Sequence, residues 1–204
     1  MILVGRNVSP FVRRTAVVMR LLGLSYKQEN LATADQLEEI KEYNPVGRVP
    51  SLELDEGEVL IDSSAIIDYL NEIAPADKKL LPVSGPERWA VQKQTAIALA
   101  VADKAVALSY ESRRRPPEKV WDQWVERLSG QVTGGLDAME QSLQGMDWLV
   151  GEKMTLADVT AVCAFDSAAM IAPELVTEDR YPRLASLSER CAELPAFAET
   201  KPAA

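Results

Sequence analysis

Few residues in this chain combine a type and a spacing that could do chemistry, and the first of them is a serine near the N-terminus. In Met1-Ile2-Leu3-Val4-Gly5-Arg6-Asn7-Val8-Ser9-Pro10-Phe11-Val12 an apolar run gives way to Ser9-Pro10. That pair marks a helix start, with a hydroxyl to cap the first turn and a proline whose missing N–H is harmless at the first helical position. Asp62-Ser63-Ser64 precedes a second helical period in the same way. Unpaired N–H groups and the helix dipole make such starts natural anion sites. Ser9 cannot be a protease-type nucleophile, because the 204 residues include no histidine; this excludes a Ser-His-Asp triad, a Cys-His pair and every His-ligated zinc site. The sequence has no phosphate loop of the GxxxxGK[ST] or GxGxxG kind.

Charge and cysteine usage narrow the field further. Net charge is −9 and the isoelectric point about 4.7, a mean field that repels phosphate backbones and anionic lipid. The basic triplet Arg113-Arg114-Arg115 precedes Pro116-Pro117 and reads as a helix end, where cations suit the carboxyl terminus and proline prevents continuation. Neither nucleic acid nor membrane is therefore an expected partner. Cys163 and Cys191 stand far apart outside any CxxC arrangement, as suits reduced thiols in a cytosolic protein. Met1-Ile2-Leu3-Val4 is too short for a signal peptide and no later run reaches the length of a membrane span, so a cytoplasmic location is expected. Without a secretory signal, the glycosylation match Asn7-Val8-Ser9 is read as chance.

The elements that must position these residues follow from hydrophobic period. Residues 1 to 5 suit a strand buried on both faces, and Val12, Ala16, Val17, Met19 and Leu21 suit a helix that Gly23 ends. Leu24 to Glu29 alternates as a second strand would, and Asp35 to Tyr43 reads as a polar helix. The turn-rich Asn44-Pro45-Val46-Gly47-Arg48-Val49-Pro50 leads into a hairpin, Ser51-Leu52-Glu53-Leu54 and Val59-Leu60-Ile61 around an acidic turn containing Gly57. Ile66, Tyr69, Leu70 and Ile73 then recur at helical spacing. Residues 1–75 thus read β-α-β-α-β-β-α, residues 76–86 read as a proline- and glycine-containing linker, and residues 87–204 as all-helical. Thr155-Leu156-Ala157-Asp158 has capping-box spacing and opens a helix to about Ile171 that is apolar around much of its circumference, as the centre of a bundle would be.

In this order and spacing, Ser9-Pro10-Phe11-Val12-Arg13, Asn44 through Pro50, Asp62-Ser63 and Thr155 through Asp158 resemble the glutathione S-transferases, in particular bacterial members whose first helix begins Ser-Pro-Phe. The resemblance spans nearly the whole chain. It implies an α/β plus all-α architecture, a thioredoxin-like N-terminal domain followed by an all-helical C-terminal domain, usually as a homodimer. It also implies glutathione as co-substrate, a small electrophile as second substrate, and a role in detoxification. Carried over residue by residue, Pro50 follows a cis peptide bond that places the Val49 backbone against the cysteinyl part of glutathione. Ser63 holds the γ-glutamyl carboxylate, Asp62 faces the γ-glutamyl ammonium, and Arg48 reaches the glycyl carboxylate. Phe11 joins the glutathione-binding set as part of Ser-Pro-Phe, and Tyr110 and Ser109 are implied lining for the electrophile.

The resemblance makes Ser9 the catalytic residue. A thiol of pKa about 8.5 is only a few per cent ionised at pH 7, and the thiolate is the nucleophile. Lowering that pKa by two units takes about 2.7 kcal/mol. A helix N-terminus supplies roughly 0.3–2 kcal/mol and a hydrogen bond to a charged group about 1.5–3, which together suffice. On this reading Ser9 donates its proton to the glutathione sulfur and is not the attacking atom. Three alternatives stand beside it. Ser9 is a helix cap and nothing more, a backbone N–H or Asn7 is the donor, or the chain keeps the fold as a non-catalytic binding or regulatory protein. Arg13, one turn on, either adds positive field near the sulfur or is a solvated charge on an exposed face. A serine where redox relatives of this fold carry cysteine argues against thiol–disulfide exchange.

Overall fold

The computed structural model describes residues 1–202. The chain divides into two compact units, Met1–Leu80 together with the segment from Glu193 onward, and Leu81–Ala192.

The first unit is built on a four-stranded sheet, β1 (Ile2–Val4), β2 (Lys27–Glu29), β3 (Ser51–Glu53) and β4 (Val59–Ile61), in the order β2-β1-β3-β4. β1 runs parallel to β2 and antiparallel to β3, with Leu3 opposite both Gln28 and Leu52. Its helices are α1 (Pro10–Leu21), α2 (Leu37–Tyr43) and α3 (Ser63–Ile73). Leu3, Val4, Leu52, Val12, Ala16, Met19, Ile66, Ile67 and Leu70 are buried, so β1 and β3 carry the apolar pattern inward and α1 and α3 cover the sheet. Periodicity alone predicts this α/β order correctly.

Element ends depart from expectation for local reasons. The second strand starts at Lys27 and not Leu24, because Gly23 N donates to Arg20 O and Leu24 N to Met19 O, so the chain is still wrapped over the end of α1. α2 starts at Leu37 because Asp35 and Gln36 close a turn on the Ala32 carbonyl. The predicted linker holds a single 3₁₀ turn, Ala76–Lys78, before α4 begins at Gly85.

The second unit is helical: α4 (Gly85–Arg113), α5 (Asp122–Ser142), α6 (Leu156–Ile171) and α7 (Pro182–Ala192). The expected capping box opens α6, with Thr155 N donating to Asp158 Oδ2 at 2.8 Å. Asp158 Oδ1 also accepts from Leu149 N at 2.7 Å, so one buried carboxylate ties the helix start to the preceding loop. α6 is buried nearly all round, as its sequence predicts. The basic triplet is a helix end: Arg113 Nη2 donates to the Ile171 carbonyl at the end of α6 at 2.7 Å, and Arg115 Nε to Glu111 at 2.8 Å. Among the described residues no helix is long and apolar enough to cross a membrane. A last short helix, α8 (Pro195–Ala198), belongs to the first unit, where Glu199 pairs with Arg20 of α1.

Candidate active site

The site is assembled from three turns of the first unit. The first is the β1–α1 turn. Gly5 N extends the β1–β2 ladder by donating to Glu29 O, Ser9 N donates back to Arg6 O, and Ser9 is the N-cap of α1. Its Oγ accepts from Val12 N at 3.5 Å, at the outer limit of a hydrogen bond. The cap therefore engages the Ser9 lone pair only weakly, and the half-buried hydroxyl keeps its proton for another acceptor. Phe11 is half-buried in the same turn, and its carbonyl accepts from Thr15 Oγ1 at 2.9 Å.

The second is the loop before β3. The buried Asn44 clamps it, donating from Nδ2 to Arg48 O at 2.9 Å and accepting at Oδ1 from Val46 N at 3.0 Å. The Val49–Pro50 peptide is cis, as the resemblance implies. Arg48 is exposed and Val49 half-buried. Gly5 brings the first two turns together. At φ +121° it adopts a conformation that residues with a side chain avoid, and a Cβ there would lie 2.6 Å from Val12 Cγ2 and 2.8 Å from Val49 Cβ. The chain before Pro50 thus packs directly on the end of β1 and the first turn of α1.

The third is the start of α3. Asp62 is the N-cap, and its Oδ1 accepts from Ser64 N at 2.8 Å. Asp62 alone among the described non-glycine residues has positive φ, at 69°. Backbone strain of this kind costs about 1–3 kcal/mol. Asp62 is exposed and Ser63 is buried, so the carboxylate meets solvent at the mouth while the hydroxyl lies inside.

One participant was not visible in the sequence. Arg14 Nη1 donates to Ser63 Oγ at 2.9 Å. Arg14 is 1% exposed, so this arginine is buried where α1 meets the start of α3. Because Ser63 Oγ accepts from Arg14, its own proton is directed to a different acceptor, which suits a carboxylate at the α3 N-terminus. Arg13 is also buried, at 5% exposure, which corrects the alternative that treats it as a solvated charge on an exposed face. Two buried cations in the first turns of α1 lie at the wrong end for the helix dipole. The signal available in the sequence was Arg13-Arg14 in the first turns of a largely apolar helix, but two adjacent charges do not reveal which way they turn.

The structure therefore brings Ser9, Val49-Pro50 and Ser63 around the first turns of α1, with Asp62 at the rim. Arg48 and Phe11 flank this group. Tyr110, near the end of α4 in the second unit, is exposed. Both cysteines are buried and unbridged, and burial pushes the Cys191 thiol up to about 12, so neither is poised for thiol chemistry.

Residues 3–79 match the family model of the glutathione S-transferase N-terminal domain, and residues 100–195 that of the C-terminal domain. The chain is 36% identical over 165 residues to a maleylacetoacetate isomerase of Pseudomonas aeruginosa, an alignment covering 78% of this chain and 74% of that protein. Its structure superimposes on a glutathione S-transferase of Methylobacillus flagellatus crystallised with glutathione, with a TM-score of 0.93 and 30% identity, covering 99% of each chain. A transferase of Methylobacterium radiotolerans in complex with glutathione sulfonate gives the same TM-score of 0.93 at 28% identity, covering 100% of this chain and 95% of that one.

Proposed function

Because the chain belongs to the glutathione S-transferase family, we propose that it binds glutathione along the first turns of α1 and α3 and adds the glutathione thiolate to a small, mostly apolar electrophile. The observation that carries this reading is the Arg14–Ser63 bond, a buried charge-assisted contact at a helix start. It makes Ser63 a donor to the γ-glutamyl carboxylate, with Asp62 opposite the ammonium. The Val49 backbone aligns the cysteinyl segment, and Arg48 takes the glycyl carboxylate at the exposed rim. Phe11 packs beside the tripeptide.

The sulfur then lies at the α1 N-terminus. Ser9 donates to it, and the positive end of the α1 dipole favours the anion. With no histidine to act as base, the thiol proton leaves to water, and the enzyme acts by making that ionisation easier. Attack forms the C–S bond while the leaving group departs with its electron pair.

A second reading is favoured by the 36% identity to a maleylacetoacetate isomerase. The same thiolate adds reversibly to an activated cis double bond, the resulting single bond rotates, and elimination returns glutathione and the trans product. Both readings use one thiolate site and differ in whether the sulfur stays on the product. The proposal includes the homodimer and the cytoplasmic location implied by the resemblance.

Turnover of a chromogenic aryl halide and of a cis-olefinic diacid, each compared with Ser9→Ala, tests the proposal. Loss of a hydrogen bond to the thiolate, about 1.5–3 kcal/mol, predicts a roughly 10- to 150-fold fall in kcat/KM at neutral pH. Retention on immobilised glutathione without turnover of either substrate would favour the non-catalytic binding protein.

A further inference from the structure

Gln28 lies on the edge strand β2, and its side chain reaches back over the β1–α1 turn. Its Nε2 donates to the Gly5 carbonyl at 2.9 Å and to Asn7 Oδ1 at 2.8 Å. The two bonds fix both amides by donor and acceptor logic alone. A backbone carbonyl only accepts, so the group facing Gly5 must be the Gln28 NH2. The second hydrogen of that NH2 points at Asn7, which must therefore present its oxygen. Asn7 Nδ2 is then turned away from Gln28 with both hydrogens, two residues before Ser9 in the turn that enters α1.

From this geometry we infer that Asn7 is a second hydrogen-bond donor to the glutathione sulfur, and that Gln28 is the positioning residue that holds the Asn7 amide in its donating orientation. The inference rests on the thiolate site proposed above. It also answers a chemical need, since the Ser9 hydroxyl can give the sulfur only one hydrogen bond and a thiolate accepts several. Gln28 ties the donor to the sheet and not to the helix. The amide is thus set before glutathione arrives, as electrostatic preorganisation requires.

The test is an ultraviolet titration of the thiolate of bound glutathione in wild type, Ser9→Ala, Asn7→Leu and Gln28→Glu, alongside affinity for S-methylglutathione, which has no thiol to ionise. Gln28→Glu is isosteric but cannot donate to Gly5 or hold the Asn7 oxygen. It and Asn7→Leu should each raise the bound thiol pKa by about one unit, a tenfold smaller thiolate population at neutral pH. S-methylglutathione affinity should stay within about twofold, which a merely folding defect would not allow. If Ser9→Ala raises the pKa while Asn7→Leu and Gln28→Glu leave it unchanged, this inference fails and the Ser9 reading stands. If only the Asn7 and Gln28 variants move it, the inference stands and Ser9 is a cap. A bound thiol with an ordinary pKa in the wild-type protein overturns both.

Discussion

Gly5→Ala should weaken glutathione binding through backbone and packing, by displacing Val49 and not by removing any group that contacts the ligand. Gly5 and Gly57 both have positive φ, +121° and +87°, but a Cβ at Gly57 meets nothing within 4 Å while one at Gly5 falls 2.6 Å from Val12 Cγ2 and 2.8 Å from Val49 Cβ. Alanine at either site carries backbone strain of about 1–3 kcal/mol. Only at Gly5 is there an added clash. Neither contact is with the far end of a long flexible side chain: Val12 is buried in α1, and the Val49 Cβ moves only with its backbone. Relieving overlaps near 1 Å in a packed core costs roughly 1–3 kcal/mol more, so the Gly5 variant should lose roughly 2–6 kcal/mol and the Gly57 variant about 1–3. Urea unfolding of both variants gives the stabilities, and calorimetry with S-methylglutathione gives the binding. Relief of the clash moves Val49 off the α1 turn, so Gly5→Ala should also weaken binding about tenfold or more, whereas Gly57→Ala should leave it unchanged. Equal stability losses in the two variants, or full affinity in folded Gly5→Ala, would refute the idea that this glycine joins the loop before Pro50 to the helix start.

Three further outcomes follow from the same structure. Arg14→Lys keeps a charge but loses the planar fork, and should lower glutathione affinity about 10- to 150-fold by calorimetry, from the roughly 1.5–3 kcal/mol of a charged hydrogen bond; unchanged affinity would remove Arg14 from the site. In α5, a Cβ at Gly135 would sit 2.4 Å from Val101 Cγ2, whereas one at Gly134 meets nothing within 4 Å. Gly134→Ala should therefore stabilise by about 0.5–1 kcal/mol, and Gly135→Ala should destabilise by about 1–2 kcal/mol with partial rescue by Val101→Ala, read from urea midpoints. Cys191 has its folded-state pKa raised from 9.0 to about 12, chiefly by burial. Its contribution to stability is therefore complete below pH 9 and lost as pH rises through the folded value, and thiol-specific labelling at pH 8 should modify neither cysteine until urea exposes both.

Much of the fold and part of the site were legible in the chain. Caps, turns and periodic faces depend on residues within a few positions of each other. Ser9-Pro10, Asp62-Ser63, the clamped loop from Asn44 to Pro50 and the Thr155–Asp158 box could therefore be read directly, and the structure contains each of them. The ends of β2 and α2 were less legible, because hydrogen bonds to the preceding element set them and side-chain alternation does not.

Tertiary structure decided what those local features act upon. Arg14 and Ser63 are 49 positions apart, and Gln28 and Asn7 are 21 apart. Nothing in either local stretch says that they meet, since only packing α1 and α3 on the sheet and pairing β2 beside β1 brings them within 3 Å. The burial of Arg13 and Arg14 has the same origin: a helix with apolar residues on most sides offers its charges no guaranteed solvent face, and the surrounding elements determine which side is covered. The sequence alone thus determined which backbone turns could hold an anion. Tertiary structure determined which buried charges and amides aim those turns, because long-range contacts depend on how whole elements are arranged and not on any neighbouring residue.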